Sequence, residues 1–440
     1  MTTLAAHREG GGAGALGRAL LFFVIIAYYW VSLAPFQDLS LASSADPWAG
    51  NSNLVNQAVA MALFAVLVGF VLNHPLRQEI AQPRLLLIGL LGWFVVTSLL
   101  ADDPSTALRR VVMAAMIVVS ASIVLLLPRN SEHFAKLFGT ALAALLALAY
   151  FGVIFLPNLS IHQASDVVEP LLAGDWRGYI SHKNVAAPAM AFTMFGGMFV
   201  WARWSKLPGA VLVVGAFIFL YNTGGKTSLG MVPLILVASW AFERWRSMRM
   251  PIALGGVALV NLVTVGSSIW EPMAKFVSGL GIDATFTERV DIWSLAFSAI
   301  AERPLTGYGI SGFWQTESLV YGGGVLETWA VNAANAHNAY LETAMAAGIP
   351  GLILVVFWLI IGPVRDANRA IEAGNDSALT RLFTRIWLYG LYASCVESFF
   401  FANSGPIWIT ILIGVFGLRY QHRSQLVSVA SPAPHGVVYA

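Results

Sequence analysis

Long apolar runs separated by short polar connections dominate the chain. A helix needs roughly 17–25 mostly apolar residues to cross a bilayer. Twelve runs approach that length: 19–36, 54–73, 85–100, 106–127, 134–156, 185–202, 208–222, 226–242, 252–270, 345–364, 382–402 and 405–419. Hydrocarbon offers the backbone no water to bond, so these runs are expected as helices. One connection breaks the rhythm, the polar gap 271–344. The expected layout is a disordered N-terminus 1–18, nine spans over 19–270, the gap 271–344 with short helices, three spans over 345–420 and a disordered tail 421–440. The fold class read from this pattern is an all-α polytopic membrane protein with about 12 transmembrane helices and one large extracytoplasmic loop.

The gap has structure of its own. Thr285-Phe286-Thr287-Glu288 fits a capping box, in which side chains at the helix start satisfy free amides. Behind it Val290, Trp293, Phe297 and Ile300 recur at helical spacing, which predicts one apolar face packed on the membrane domain. The helix is expected to stop near Arg303-Pro304. A Gly-punctuated turn, 305–314, and a Gly-rich stretch, 321–325, follow. The gap closes on Asn335-Ala336-His337-Asn338-Ala339-Tyr340-Leu341-Glu342, which leads directly into the next apolar run.

Composition agrees with the pattern. The chain is 58% hydrophobic and 11% charged, with mean hydropathy +0.71, whereas soluble proteins carry about 25% charged residues. Membrane lipids are therefore the solvent for most of it. A net charge of +2 argues against nucleic acid as a partner. The single cysteine, Cys395, excludes a disulfide framework or a cysteine-based metal site. The first apolar run is long and many more follow, so it reads as a retained helix rather than a cleaved leader.

Lys and Arg are enriched in cytoplasmic connections. Counted over alternate connections, 17 cations fall in the set that includes both termini and 8 in the other. This places both termini in the cytoplasm and puts 157–184, 222–226 and 271–344 together on the outside. The eight outer cations break the rule. Arg109 and Arg110 begin an inward-running helix, where their charge opposes the helix dipole. Asp102 and Asp103 offset this, with Asp103 as N-cap and Pro104 at the first helical position. The pair reads either as a salt-bridged turn or as an outer anion site.

Three polar islands share that outer face. The first, Trp176-Arg177-Gly178-Tyr179-Ile180-Ser181-His182-Lys183-Asn184, ends at a helix start. Unpaired amides and the dipole attract anions there, although interfacial anchoring by Trp, Tyr, Lys and Arg is the competing reading. The second, Asn222-Thr223-Gly224-Gly225-Lys226-Thr227-Ser228, is a tight turn at another helix start and lacks the spacing of a nucleotide loop. The third is the gap, where Arg289 stands in a first helical turn against the dipole. A bound anion would turn that conflict into cooperation. The gap holds three cations and eight carboxylates, so an anion site must be local and shared with the other islands. Glu397, inside an apolar run toward its outer end, is a candidate auxiliary group or a salt-bridge partner of one of these cations.

The islands, in this order, resemble the O-antigen ligase and polysaccharide polymerase superfamily of bacterial membrane proteins, most nearly its exopolysaccharide-polymerase branch. The resemblance covers roughly residues 85–420. It rests on Arg177-Gly178 with His182-Lys183-Asn184; Lys226-Thr227-Ser228; Thr287-Glu288-Arg289 with Trp293; Arg303 through Gly309; and His337 through Leu341 with Gly348-Ile349-Pro350-Gly351. It implies a multi-pass protein of the bacterial inner membrane with a large periplasmic loop. It also implies transfer of a glycan from a polyprenyl-diphosphate carrier to a saccharide or lipid-linked acceptor, with no cofactor, nucleotide sugar or metal. Partners of polysaccharide export or chain-length control fit the same picture. The family's loop arginine and loop-end histidine fall on Arg289 and His337; its arginine before the eighth span falls on Lys226, a departure. Lysine holds phosphate as a point charge and lacks the bidentate fork of arginine.

The chemistry expected from this resemblance is inverting transfer. Arg289, Lys226 and Arg177, supported by Lys183, stabilise the diphosphate leaving group, and His337 takes the acceptor proton. His182 is a further auxiliary candidate. Polymerase and lipid A core ligase differ only in acceptor. A transporter or an export scaffold is the rival class, but residues 1–200 and 201–420 show no repeat and charges within the spans are scarce.

Overall fold

The computed structural model describes residues 12–41, 54–72, 84–167, 169–279, 289–316 and 329–423, with His74, Arg77 and Leu319. The expectations for residues 1–11, the capping box 285–288, the Gly-rich stretch 321–325 and residues 424–440 lie outside these. The described residues are helical, without a strand; one isolated bridge joins Ile161 to Trp176.

The helices are α1 (Gly12–Val31), α2 (Leu54–Leu72), α3 (Arg84–Leu99), α4 (Pro104–Val124), α5 (Ser131–Phe155), the single turn α6 (Pro157–Ser160), α7 (Lys183–Arg203), α8 (Lys206–Asn222), α9 (Lys226–Arg244), α10 (Gly256–Ile269), α11 (Glu271–Gly279) and α12 (Arg289–Glu302). After the gap come α13 (Ala339–Val356), α14 (Gly362–Glu372), α15 (Ser377–Ala393) and α16 (Pro406–Arg423). Among the described residues seven helices are long and apolar enough to cross a membrane: 14–31, 55–72, 104–124, 131–155, 183–203, 246–269 and 339–372. The chain is a multi-pass membrane protein. The other five expected spans are helical over part or all of their length.

Several boundaries move. Helix α1 begins at Gly12, so residues 12–18 are not disordered, and α16 carries Gln421 through Arg423 past the expected end. The span expected over 382–402 stops at Ala393, so Glu397 stands on an irregular connection, 394–405, rather than within a span. The polar gap ends at Asn338, where α13 begins. In α12 the buried stripe is Ile292, Trp293, Leu295, Ala296 and Ala299, rotated from the expected one, with Val290, Phe297 and Ile300 only partly covered. Asp103 caps α4, accepting from Ser105 and Thr106 amides, with Pro104 at the first position, as the sequence suggests.

Two helical stretches carry π-turns, Pro251–Gly255 before α10 and Phe357–Ile361 between α13 and α14. A π-turn frees backbone carbonyls that lipid cannot satisfy. Helix α15 supplies donors for both: Tyr392 Oη to Ile252 O at 2.8 Å and Trp387 Nε1 to Leu359 O at 2.7 Å. This buried helix is the post against which the bundle is registered, and its C-terminal end delivers the connection carrying Glu397.

Ion pairs sort the ends of the bundle. Arg203–Asp376, Arg381–Glu243, Arg246–Glu372 and Arg419–Asp366 lie among one set of alternate connections. Lys183–Asp175, Arg289–Glu397 and Arg303–Asp102 lie among the other. Each of these pairs joins connections of its own set.

Candidate functional site

The His337 loop is built around Asn338. Asn338 Oδ1 caps α13, accepting from the Tyr340 and Leu341 amides, both at 3.0 Å. Its Nδ2 donates to Asn261 Oδ1 at 2.7 Å and to Cys395 O at 2.8 Å. Ala339 N donates to Ser394 O at 2.8 Å, and Asn338 N to Ser398 Oγ at 3.2 Å. A fully buried asparagine thus staples the loop to both α10 and the 394–398 connection. Asn261, a polar residue in an apolar run, also donates to Cys395 Sγ at 3.2 Å.

On the other side the loop is held through Ala336. Its N–H donates to Glu342 Oε2 at 2.8 Å, and its carbonyl accepts from Trp293 Nε1 at 3.0 Å. Trp314 Nε1 also donates to Glu342 Oε2, at 3.0 Å. With both neighbours fixed, His337 sits at φ 46°, a left-handed conformation that costs an L-residue about 1–2 kcal/mol. Strain of this kind persists only where the surroundings over-determine it; here the Asn335 side chain also accepts the His337 N–H at 2.9 Å.

This turn aims the imidazole at Glu397. His337 Nδ1 lies 3.0 Å from Glu397 Oε2, and Arg289 Nη2 donates to Glu397 Oε1 at 2.8 Å. Arg289 Nη1 also bonds the Val396 carbonyl. Burial alone would raise the Glu397 carboxyl; the Arg289 charge, then His337, overrides it and holds the group at about 2. Two residues from distant places in the chain therefore meet on the carboxylate of a third, with His337 30% exposed and Glu397 17%, so the ring is the more accessible of the two.

The first two islands are also joined. Trp176 N donates to Asn222 O at 2.9 Å. Gly224, at φ 63°, leaves no room for a Cβ, which would lie 2.4 Å from Asp175 Oδ1. Asp175 Oδ2 in turn holds Lys183 Nζ. His182 caps α7, accepting the Asn184 amide on Nδ1 at 3.0 Å, and its Nε2 bonds Glu169. The His182 bond lowers the Glu169 carboxyl against the effect of burial, and the electrostatics of His182, His162 and His337 act in the same direction. The first island thus abuts the second through Asp175 and lies in electrostatic reach of His337 through Glu169.

The candidate cations differ in what they are free to do. Arg177 is 1% exposed, with Nη1 on Ile180 O at 3.3 Å and Nη2 on Gln37 O at 2.6 Å. It pins the 177–180 turn to the 37 region, and its guanidinium faces main chain rather than the His337 turn. Lys183 is paired with Asp175. Lys226 is exposed at the start of α9, and among the described residues its ammonium has no hydrogen-bond or ion-pair partner. Sequence reasoning passed over Asn338, Asn261, Glu169 and Asp175. Asn261, a lone amide in an apolar run, was the available signal; the others carry none before their neighbours are known.

The outer loop is seated by its backbone. Helix α13 breaks at Gly348, at φ 65°, where a Cβ would meet Leu305 O at 2.1 Å. The carbonyls exposed by the break are taken by Tyr308 N on Met345 O at 2.8 Å, Gly309 N on Ala346 O at 2.9 Å and Trp93 Nε1 on Ala347 O at 2.8 Å. Ile349 N returns a bond to Pro304 O at 2.8 Å. Arg303 pairs with Asp102 at 3.3 Å and lies 4.4 Å over the Tyr308 ring. The 303–309 and 348–351 motifs are thus two halves of one joint.

Fold and site together define a multi-pass helical membrane protein with a histidine–carboxylate–guanidinium cluster at one end of its bundle. Residues 208–356 match the O-antigen ligase family. It is similar to the exopolysaccharide production protein ExoQ of Rhizobium meliloti, with 24% identity over 132 residues, 29% of each chain. It is also similar to a Rickettsia conorii protein provisionally named as a polysaccharide ligase, with 22% identity over 226 residues, 45% of this chain and 53% of that one. The matches span well under two thirds of either relative's own length.

Proposed function

We propose that this protein transfers a glycan from a polyprenyl-diphosphate carrier to an acceptor hydroxyl at the outer face of a bacterial inner membrane, with both termini cytoplasmic and twelve crossings. The observation that carries the reading is the meeting of His337 and Arg289 on one carboxylate, at the bundle end that the positive-inside count assigns to the outside. Residues 208–356, which match the family, include Lys226, Arg289 and His337.

In the reaction the acceptor oxygen attacks the anomeric carbon as the bond from that carbon to the phosphate oxygen breaks. The acceptor proton passes to His337, and the electron pair leaves with the diphosphate. In-line attack inverts the anomeric carbon. Negative charge grows on the leaving group, and fixed cations placed there stabilise the transition state. Lys226, unpaired among the described residues, and the remaining donors of Arg289 suit this role. Arg177 and Lys183 act behind them, Arg177 pinning the first island to the 37 region and Lys183 holding Asp175 against the second island. The similarity to an exopolysaccharide production protein favours a lipid-linked saccharide as acceptor.

The test is turnover by the purified protein in proteoliposomes, with a polyprenyl-diphosphate oligosaccharide and each acceptor class offered in turn. Release of polyprenyl diphosphate coupled to a longer glycan is expected, and His337→Ala should lower it at least ~100-fold, within the range of acid–base contributions. Unchanged product from a correctly folded His337→Ala protein would remove His337 from the chemistry. Solute flux without transfer would instead point to a transporter.

A further inference from the structure

An imidazole can serve as a base only through a nitrogen that carries a lone pair and faces the substrate, and which nitrogen that is depends on what the other one touches. Glu397 is ionised and can only accept hydrogen bonds. Its Oε2 lies 3.0 Å from His337 Nδ1, so Nδ1 carries the proton and Nε2 the lone pair. Among the described residues Nε2 has no hydrogen-bond partner. Glu397 itself is not free to turn, because Oε1 is held by Arg289 Nη2 at 2.8 Å and the adjacent Val396 carbonyl by Arg289 Nη1. The segment bearing it is fixed further by Ala339 N on Ser394 O, Asn338 Nδ2 on Cys395 O and Asn338 N on Ser398 Oγ.

We propose that Glu397 is a positioning residue of this site: its carboxylate, locked by Arg289, sets the tautomer and orientation of His337 so that Nε2 takes the acceptor proton. It then faces the imidazolium formed in the transition state and stabilises it. Arg289 acts here through Glu397, in addition to any contact with the diphosphate. The inference rests on His337 being the base. It assigns a role to a connection that falls outside residues 208–356, the matched family region. Two further carboxyl groups within electrostatic reach of His337 are Glu169, on the loop before α7, and Glu342, in the first turn of α13. Neither is hydrogen-bonded to the ring among the described residues, so the orienting contact belongs to Glu397.

The experiment compares E397Q and E397D with the parent protein in the proteoliposome assay, reading kcat, donor KM and the pH profile. E397Q preserves shape but lacks the charge, and its amide can donate to Nδ1 and trap the wrong tautomer. A fall of about 100-fold in kcat is expected, with donor KM within threefold and the acidic limb of the pH profile moved to lower pH. E397D keeps the charge and should recover part of kcat and the parent's acidic limb. An E397Q protein with unchanged kcat and pH profile, alongside an inactive His337→Ala protein, overturns this inference and leaves the functional reading standing. An active His337→Ala protein overturns both. If E397Q does not fold, the proposal falls should folded E397D lose kcat as completely as His337→Ala or show an acidic limb displaced from the parent's.

Discussion

Replacing Asn338 should damage this protein more than any surface charge, and the choice of replacement separates two roles of one side chain. In Asn338→Ala two capping bonds disappear from the start of α13, together with the Nδ2 bonds to Asn261 Oδ1 and Cys395 O. Loss of an N-cap costs about 1 kcal/mol. Stranding a buried carbonyl costs roughly another 1–3 kcal/mol, and Asn338 is fully buried. The expected loss is therefore about 2–4 kcal/mol. Asn338→Asp keeps the cap oxygen and places a negative charge favourably at a helix start. It also turns a donor into an acceptor facing two other acceptors, so it should be no more stable than Asn338→Ala. The assay is the apparent melting temperature of each purified protein in the same nanodisc at one heating rate, since unfolding of such proteins is kinetically controlled. Transfer activity is measured beside it. An aspartate variant with parental melting temperature and activity would refute the staple and leave the cap as the whole of the residue's contribution.

Further outcomes follow from the same geometry. Gly348→Ala forces a Cβ to 2.1 Å from Leu305 O at φ 65°, so it should unseat the outer loop and speed proteolysis after residue 302, measured by limited digestion. Arg303→Ala loses an ion pair a third exposed and a ring contact, about 1 kcal/mol in all, and should lower melting temperature slightly with kcat nearly intact. The Glu397 carboxyl, at about 2 when folded, lies below the usual glutamate value of roughly 4.3. Its contribution is therefore present above pH ~4.3 and lost as pH falls toward 2. The difference in melting temperature between parent and E397Q should shrink over that window, and a constant difference would contradict the pairing. Lys226→Ala should lower kcat while Lys226→Arg retains activity, because arginine keeps the charge and presents a planar fork that can bond two phosphate oxygens.

The helices were legible because lipid imposes one rule on every apolar run, and each run overlaps a helix along at least part of its length. Their ends were less legible. The run 382–402 is apolar throughout, yet α15 stops at Ala393 because the chain beyond it bonds the Asn338 cap instead of its own preceding turn. That is a tertiary demand with no local mark. In the site, His337 and Arg289 were readable from position: one closes the polar gap, the other opposes a dipole. Their partner Glu397 was readable as an anomaly, with its place on a connection hidden by the apolar residues around it. Arg177 illustrates the reverse. In sequence a cation near a helix start reads as an anion site, and only the structure shows two of its donors taken by the Gln37 and Ile180 carbonyls.

The joint at Gly348 has an evolutionary consequence. At this joint the outer loop is fastened to α13 by three bonds, all between main-chain groups. Main-chain bonds do not ask what side chains the loop carries; Leu305, for instance, is 67% exposed and free of any part in the fastening beyond its backbone. Outward-facing side chains of this stretch can therefore change while the hinge of glycine and amide stays the same. At Leu305 and positions like it, the sequence is thus free to drift without unseating the segment, because what holds it there is backbone.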